Sequence, residues 1–393
     1  MATLETTLLG ITFPNPFVLA SGPPTVNGSM VIEGFKSGWG GAVLKTIALA
    51  PTKVPSPRVH VIKTGRTKWG MLDIELISEM SVDRWEDEID MIRDAFPNHP
   101  IIASIMGGGN PYDWQEVVRR LEPHGVDAFE MNASCPSFAE EKGSKLGQDP
   151  ETLGLAVSWV REATSLPVIA KLTPNVTDIV PLARVAMEAG ADAVTATNSL
   201  SGIAGIDLNT FSPLPTVDGI GIAGGYGGPG LRPVSLRCTA DIAKSLPVPI
   251  FGCGGISKWY DAAEYLVAGA SAVQICTAVM WEGRQIIDKL TKGLIGYLDK
   301  NGYEAPADII GKALPNIGKF PDLNLEVELV ASIDEARCNG CGICVKACTS
   351  GGYQAITMAE DKEVARVDFL KCDGCGLCVG VCPLGIVVLN PRG

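Results

Sequence analysis

The sequence contains little of what membrane, nucleic-acid-binding or secreted proteins need. None of its apolar runs approaches the ~20 residues of a transmembrane helix, so we expect no membrane span. The net charge is −12 and the one adjacent basic pair is Arg119-Arg120, which argues against a nucleic-acid partner. The first ten residues include Glu5 and no long apolar core, so we expect no secretory signal or disulfides and predict a cytoplasmic protein.

Cysteine, in contrast, is concentrated near the end of the chain. Eight of the twelve cysteines form two copies of the spacing C-x2-C-x2-C-x3-C. They are Cys338, Cys341, Cys344 and Cys348, followed by Cys372, Cys375, Cys378 and Cys382. This spacing is typical of 4Fe-4S clusters, and in paired sets the fourth cysteine of each copy binds the other cluster. The prediction is one cluster on Cys338, Cys341, Cys344 and Cys382, and a second on Cys372, Cys375, Cys378 and Cys348.

Structural zinc is the alternative interpretation of these cysteines. Zinc sites usually take their four ligands as two separated pairs, whereas each set here is one compact run with small residues such as Gly340 and Gly374 between the ligands. The spacing therefore favours two 4Fe-4S clusters and predicts a protein that transfers single electrons.

The larger part of the chain alternates between short β-branched apolar runs and helical patterns. The runs predicted as strands are Phe17–Ala20, Ala42–Lys45, Ile101–Ile105, Ala128–Met131, Val168–Lys171, Ala193–Thr197, Ile250–Gly252 and Ala272–Ile275. Eight such βα units predict an α/β TIM (β/α)8 barrel, with a doubly wound open sheet as the alternative. Thr7–Phe13 is predicted as a hairpin under the barrel.

Three segments follow from these patterns. We predict a barrel over residues 1–304 and a connector over 305–332 that contains Pro306, Pro315 and Pro321. Residues 333–393 are predicted as a small bacterial-ferredoxin-like α+β domain that carries both clusters.

Catalytic residues of TIM barrels lie at the C-terminal ends of the strands, and several of the predicted strands end in polar or reactive residues. These ends are Lys45-Thr46, Asn132 through Pro136, Lys171, Asn198-Ser199, Gly252 through Gly255 and Cys276-Thr277. His60, His99 and His124 lie away from these ends, and we interpret them as surface or loop residues.

The strand ends also predict a bound flavin. Gly254, Gly255 and Thr277 suit a phosphate, because backbone N–H groups there can approach an anion closely, although ordinary turn glycines are the alternative. Lys45 and Lys171 suit a flavin ring, whose reduced form carries negative charge near N1 and O2, although structural ion pairs would also explain them. An FMN would exchange electron pairs with a substrate and single electrons with the clusters.

Several motifs together resemble a known family. They are Asn15-Pro-Phe with Ala20-Ser21, Lys45-Thr46, Ile74 through Ser78, Asn132-Ala-Ser-Cys135-Pro136, Gly147 through Pro150, Ala170 through Asn175, Thr197-Asn198, Gly224 through Pro233, Gln274 through Ala278 and Gly352 through Ile356. This combination resembles the catalytic subunits of NAD-dependent dihydropyrimidine dehydrogenases, which belong with the dihydroorotate dehydrogenase-like FMN barrels.

The resemblance implies particular roles for individual residues. It implies that FMN is held by Ala20, Ser21, Lys45, Thr46, Asn132, Lys171, Asn198, Gly228, Gly254, Gly255, Cys276 and Thr277. It implies that the substrate meets Asp73, Glu75, Asn132, Asn198 and Ser199. It makes Cys135 the catalytic acid on a closing loop, whereas Cys238 and Cys253 are interpreted as small buried hydrophobes.

The implied reaction is reduction of the 5,6 C=C bond of uracil or thymine. FMN N5 would give the hydride and the Cys135 thiol the proton. Electrons would arrive through the clusters from a separate FAD- and NAD(P)-binding subunit, in a homodimeric core or a heterotetramer. The chain has no convincing dinucleotide fingerprint of its own, because Gly221 begins only a loose glycine match without a following helix.

The sequence departs from the family around the substrate. Asp73 stands where the family usually has asparagine, which pairs with the amide edge of the pyrimidine, and an ionised carboxylate only accepts hydrogen bonds. Ser199 replaces threonine, and the loop after Pro136 lacks the expected His-Gly. Three alternatives therefore stay open: a different cyclic amide or enone as substrate, an electron-relay subunit, and dihydroorotate oxidation.

Overall fold

The computed structural model describes residues 2–133, 146–359 and 363–392. The chain forms two compact units, residues 1–317 and 318–393. The first unit is built on a closed barrel of eight parallel strands. In chain order they are Phe17–Leu19, Gly41–Val43, Ile101–Ile105, Ala128–Asn132, Val168–Leu172, Ala193–Ala196, Ile250–Cys253 and Ala272–Ile275. Each pairs with its neighbours in the chain, and the eighth pairs with the first.

The predicted TIM barrel is thus confirmed, with every strand within two residues of its predicted bounds. The strands were recognisable because a barrel buries both of their faces, so each reads as a short continuous apolar run. Barrel helices follow the strands. They are Gly28–Lys36, Val82–Ala95, Pro111–Leu121, Pro150–Ala163, Val180–Glu188, Arg232–Ser245, Trp259–Val267, Thr277–Glu282 and Ile286–Asn301.

Four of the helices begin at a polar cap that the sequence supplies. Asn27, Ser81, Asn110 and Asp149 each accept a hydrogen bond from a backbone N–H in the first turn of the helix that follows. Such caps satisfy N–H groups that have no partner within the helix. They fix where each helix starts after its strand and hence how it returns along the barrel.

The barrel interior is layered. Its lower layer is apolar and takes one residue from each strand: Val18, Val43, Ile102, Ala128, Ile169, Ala193, Phe251 and Ala272. The hairpin of Thr6–Leu8 and Ile11–Phe13, close to the predicted one, packs Leu8 and Phe13 on this layer. Because side chains two residues apart in a strand share a face, the residues above this layer point inward too.

A four-stranded antiparallel sheet, here called the mouth sheet, was not predicted. Its strands, in spatial order, are Leu200–Gly202, Gly224–Gly227, Thr67–Asp73 and Val59–Thr64. They come from insertions after the second and sixth barrel strands. Gly225 is paired with Asp73 in the register. A short antiparallel pair of strands, Ile206–Asp207 with Ser212–Pro213, lies in the insertion after the sixth barrel strand.

The second unit has the element order expected of a small α+β domain. Its helices are Ile343–Ser350 and Leu377–Val381. Strand Leu329–Ile333 pairs with Val387–Pro391, and Ile356–Met358 pairs with Ala365–Val367. The predicted connector, 305–332, is divided between the two units: it contains the short 3-10 turns Pro306–Ile309, Leu314–Asn316 and Phe320–Asp322 and the start of a strand in the second unit. Among the described helices, none has the length and hydrophobicity needed to cross a lipid bilayer.

Candidate active site

A cavity of about 300 Å³ opens at the C-terminal ends of the barrel strands. Its lining includes every predicted FMN or substrate residue: Ala20, Ser21, Lys45, Thr46, Asp73, Glu75, Asn132, Lys171, Asn198, Ser199, Gly228, Gly254, Gly255, Cys276 and Thr277. Residues of the mouth sheet and of its connecting loops, including Met71 and Gly224, form part of the wall. The predicted acid, Cys135, lies outside the described residues.

Both lysines of the cavity are ion-paired. Lys45 Nζ lies 2.7 Å from Glu75 Oε1, and Arg58 Nε lies 2.8 Å from the other oxygen of the same carboxylate. Lys171 Nζ lies 3.0 Å from Glu130 Oε1. Each lysine therefore brings a buried positive charge to the cavity together with a carboxylate that matches it.

The middle layer of the barrel holds Lys171 in place. Gln274 Oε1 accepts a second hydrogen bond from Lys171 Nζ at 3.0 Å. The remaining oxygen of Glu130 accepts from Thr195 Oγ1 at 2.8 Å and from Gln274 Nε2 at 2.5 Å. Burial is the largest single influence and lowers the pKa of Lys171, but the charge and hydrogen bond of Glu130, together with Cys253 and Cys276, raise it, and the net effect is a raised pKa.

Hydroxyl and amide groups form a second network at the rim. Asn132 Nδ2 donates to Thr46 Oγ1 at 3.1 Å, and Thr46 Oγ1 lies 2.9 Å from Ser104 Oγ. Asn198 Nδ2 donates to Asn132 Oδ1 at 3.2 Å, while the backbone N–H of Ser199 donates to Asn198 Oδ1 at 2.7 Å. These bonds orient both amides toward the cavity side of the barrel.

Asp73 is a carboxylate with an unusual proton affinity. Burial raises the pKa of its carboxyl from 3.8 to about 6, against the opposing effect of a hydrogen bond from the Glu75 backbone N–H at 2.7 Å. At neutral pH the group is mostly ionised, and in mildly acidic solution it becomes a donor as well as an acceptor.

The glycines after the seventh strand fit a close-approaching anion. Gly254 and Gly255 have φ angles of +129° and +74°, which other residues rarely adopt. A Cβ at Gly254 would lie 2.3 Å from Ser235 Oγ, and one at Gly255 would lie 2.8 Å from Gly228 O and from Arg232 N. Neighbouring segments therefore pack too closely for a side chain at either glycine, and both glycines line the cavity. With glycine backbone at this end and lysine and amide donors along the rest, the lining fits the phosphate and ring of FMN.

Two cysteines of the barrel lie at the cavity. Cys238 is fully buried, as expected, but Cys253 lines the cavity and was wrongly interpreted as a core residue. It ends the seventh strand facing inward, two residues after Phe251 of the lower layer. Burial raises the pKa of both cavity thiols, that of Cys276 to about 12, so both are neutral at physiological pH.

None of the three histidines is among the described lining residues of the cavity. His60 lies on a mouth-sheet strand, and His124 Nδ1 lies 2.8 Å from Asp90 Oδ1. His99 is a half-buried loop residue, and its ring lies 4.7 Å from that of Phe35.

Four cysteines of the second unit lie around one cavity. Cys338, Cys341 and Cys344 line one small cavity together with Cys382 of the second set. Cys348 Sγ accepts a hydrogen bond from Ala355 N at 3.3 Å. Cys372 Sγ accepts one from Ala331 N at 3.4 Å.

The hydrogen-bond partners of Lys171 were not predicted from the sequence. Glu130, Thr195 and Gln274 lie inside strands rather than at their ends, so attention to strand ends alone passed over them. The signal was nevertheless available, because Glu130 lies two residues before Asn132 and must share its inward face. A buried glutamate in a barrel strand calls for a cationic partner.

Comparison with known proteins identifies the family. The dihydroorotate dehydrogenase family matches residues 3–298. The chain belongs to this family. The 4Fe-4S dicluster domain family matches residues 331–389 of the chain. This member of the dihydroorotate dehydrogenase family is therefore an oxidoreductase whose cofactors are FMN and two 4Fe-4S clusters, as predicted.

Three relatives cover most of the chain. The NAD-dependent dihydropyrimidine dehydrogenase subunit PreA of Escherichia coli K12 is 35% identical over 91% of this chain and 88% of its own length. The chloroplastic dihydropyrimidine dehydrogenase (NADP(+)) of Arabidopsis thaliana is 34% identical over 81% of this chain and 79% of its own. The catalytic subunit of dihydroorotate dehydrogenase B (NAD(+)) from Pyrococcus horikoshii is 40% identical over 79% of this chain and 98% of its own.

Proposed function

We propose that this chain is a catalytic subunit that reduces the 5,6 C=C bond of uracil or thymine to the dihydropyrimidine. The PreA subunit of E. coli, whose similarity extends over 91% of the chain, supports this activity. A hydride is added to one carbon and a proton to the other, so the substrate gains two electrons and two hydrogens.

The charge balance of the cavity carries this proposal. Among the described lining residues, each of the two lysines has a carboxylate within 3.0 Å, and Asp73 adds a further acid. A ring that carries its own carboxylate, as dihydroorotate does, would bring another anion to the site. Each cation among the described lining residues already has a carboxylate partner, so this anion would have no cation left to pair with. A neutral pyrimidine meets no such penalty.

Specific residues would hold the cofactor. The backbone at Gly228, Gly254 and Gly255 suits the phosphate, with Thr277 beside it, and Lys45 and Lys171 suit the ring. The remaining proposed contacts are Ala20, Ser21, Thr46, Asn132, Asn198 and Cys276. FMN supplies two-electron exchange with the substrate and one-electron exchange with the clusters.

The side chains of the rim would orient the substrate. Asn132 and Asn198 are held by each other, and Ser199 is tied to Asn198, which fixes the directions of their donors and acceptors. Asp73 and Glu75 would face the polar edge of the ring. The Cys135 thiol would give its proton to the ring, because ordinary thiols are mostly protonated at neutral pH.

Electrons would reach the barrel through the second unit. Cys338, Cys341, Cys344 and Cys382 would bind one cluster, and Cys372, Cys375, Cys378 and Cys348 the other, an assignment supported by the shared cavity of the first group. A separate FAD- and NAD(P)-binding subunit would supply the electrons, because PreA is itself a subunit of an NAD-dependent enzyme.

Anaerobic reoxidation of the reduced protein tests the substrate. The holoprotein is reduced with dithionite and mixed with uracil, thymine or orotate, and the return of flavin absorbance is followed. Uracil and thymine should reoxidise the flavin and orotate should not. Faster reoxidation by orotate would contradict the proposal and favour dihydroorotate chemistry, which the 40% identity of the P. horikoshii subunit supports.

Replacement of Cys135 separates an enzyme from an electron relay. If the thiol donates the proton, Cys135→Ser should slow reoxidation by pyrimidines by about 100-fold or more. A relay subunit would keep its rate of electron transfer to a one-electron acceptor and lose nothing. The matched control is Cys238→Ser, at a buried thiol that is not among the described lining residues of the cavity.

A different cyclic amide or enone is the second candidate substrate, and Asp73 favours it. An ionised carboxylate accepts hydrogen bonds only, so it pairs best with a ring edge that offers donors. Asp73→Asn, assayed on uracil and thymine, decides between the two. If the wild type is inactive on both and the variant is active, the pyrimidine assignment is wrong.

A further inference from the structure

Lys171 is held by a buried polar layer rather than by one ion pair. Glu130 is 0% exposed, Thr195 is 0% exposed and Gln274 is 1% exposed. Glu130 accepts from Lys171 at 3.0 Å, from Thr195 at 2.8 Å and from Gln274 at 2.5 Å. The layer lies on the apolar lower layer, so none of these groups is exposed to solvent on that side.

The layer leaves the ammonium group directed at the cavity. Lys171 Nζ has three N–H donors, and Glu130 and Gln274 take two of them at 3.0 Å each. Lys171 also lines the cavity, whereas Glu130 does not. The third donor and the positive charge are therefore presented to whatever fills the cavity.

We propose that Glu130 is a positioning residue that keeps Lys171 protonated and aimed at the flavin, and that it thereby sets the reduction potential of bound FMN. The inference rests on the proposed contact of Lys171 with the ring. Reduced flavin carries negative charge near N1 and O2, so a nearby ammonium stabilises the reduced form and raises the potential.

Among the groups that face Lys171, Glu130 favours the protonated form most, through both its charge and its hydrogen bond. The titratable groups that face Lys171 are Glu130, Cys253 and Cys276. Burial keeps both thiols neutral, and Lys45 and Asp73 interact with Cys276. Without Glu130 the cost of burying an unpaired ammonium dominates, and Lys171 loses its proton as pH rises.

A purely structural role predicts something different. If the layer only filled the barrel, loss of the Glu130 charge would lower stability and leave the pH dependence of the flavin potential unchanged. A positioning role instead makes the flavin sensitive to the protonation of Lys171. The two roles separate on a redox titration, without any measurement of turnover.

Glu130→Gln is the decisive variant, because it keeps the size of the side chain and one acceptor oxygen and removes the charge. Flavin midpoint potential and FMN affinity are measured on the holoprotein from pH 6 to pH 9. We expect a pH-dependent break in the potential that the wild type lacks, with values below the wild type at high pH. FMN should also bind about tenfold or more weakly at pH 9, since a charge-assisted hydrogen bond is lost.

Two further variants guard the interpretation. Thr195→Val removes a hydrogen-bond partner of Glu130 but no charge. The flavin midpoint potential of this variant should therefore depend on pH as that of the wild type does. In a Lys171→Met background, Glu130→Gln should cause no additional break in the pH dependence of the flavin potential. If the Glu130→Gln single variant fails to fold, the comparison of Lys171→Met with the double variant still tests the inference. A potential curve for Glu130→Gln that parallels the wild type, or a break that persists without Lys171, overturns the inference.

Failure of the inference is distinct from failure of the proposed function. A wild-type protein that is not reoxidised by uracil or thymine contradicts the substrate assignment alone, because the potentials are measured without substrate. A wild type that reduces pyrimidines normally, while Glu130→Gln keeps the wild-type pH dependence, contradicts only the role of Glu130.

Discussion

Lys45 and Lys171 look equivalent in the sequence, yet the structure gives them different surroundings. Both follow or end barrel strands and both line the cavity. Lys171 is paired within the barrel by Glu130, which is sealed from solvent. Lys45 is paired by Glu75, which follows a mouth-sheet strand and shares its carboxylate with Arg58, whose side chain is 48% exposed.

The difference separates two tasks. A pair inside the barrel is fixed by the rigid strands and has a constant charge, as suits a cofactor that stays bound. The pair made with the mouth sheet is buried as well, but its carboxylate is shared with Arg58, whose side chain is half-exposed. We therefore expect charge on the Lys45 side to act in substrate selection as well as on the ring, whereas the buried layer directs the charge of Lys171 at the ring.

The largest expected effect comes from breaking the sealed pair. Glu130→Ala leaves a buried ammonium unpaired and should lower the free energy of unfolding by about 3–5 kcal/mol. Glu75→Ala should cost less, about 1–3 kcal/mol, because Asp73 also interacts with Lys45. All seven tryptophans precede residue 318, so their fluorescence in urea reports on the barrel unit alone. Equal losses for the two variants would contradict the distinction.

Asp73→Asn should change how stability depends on pH. The carboxyl of Asp73 has a pKa of about 6 when folded against 3.8 in the unfolded chain, so the folded protein binds the proton more tightly. Stability therefore falls as pH rises from about 4 to about 6, and the ionised group then costs about 3 kcal/mol. The variant should gain that amount at pH 8 and almost nothing at pH 4. A gain that is independent of pH would point to packing instead.

Glu75→Gln should alter the choice between neutral and anionic rings. It leaves Lys45 with an unmatched charge, so the reoxidation rate with orotate relative to uracil should rise about tenfold, the effect of roughly 1.4 kcal/mol. Glu130→Gln is the matched control and should leave that ratio unchanged above the pH at which Lys171 loses its proton. A similar rise in both variants would mean that the two sides of the cavity act on substrate alike.

The smallest effect is expected from the exposed member of the Lys45 side. Arg58→Ala removes a partner of Glu75 whose side chain is 48% exposed, so it should cost less than about 1 kcal/mol of stability. The loss should shrink further in 0.5 M salt, since exposed pairs are screened. A loss as large as that of Glu130→Ala would place Arg58 in the same structural role as the sealed pair.

The elements predicted correctly are those with a strong signal in a short stretch of sequence. Strands such as Ile101–Ile105 and Ala272–Ile275 were predicted at their observed bounds, because strands buried on both faces read as apolar runs. The mouth sheet was missed because its central strand, Gly224–Gly227, is short and rich in glycine, which carries no strand propensity. Its partner in the sheet, Thr67–Asp73, comes from a distant insertion.

Residues of the site divide in the same way. Asn132 and Lys171 were found because they stand at strand ends, where barrel enzymes keep their chemistry. Glu130 was not predicted and Cys253 was interpreted as a core residue, because the place of each depends on which face of its strand it occupies. The alternation of side chains along each strand would have shown that both face the interior. Asp73 was recognised as unusual, but its raised pKa follows from burial by other segments.

By itself the sequence determined the barrel, the strand-end residues and the two cysteine sets, because each depends on spacing along a short stretch of chain. Only the tertiary structure decided which carboxylate neutralises which lysine. Lys171 and Glu130 are 41 residues apart, and neither flanking sequence specifies the other. A buried charge is matched by whatever group the closed barrel brings within hydrogen-bonding distance, and that choice exists only once the strands have closed.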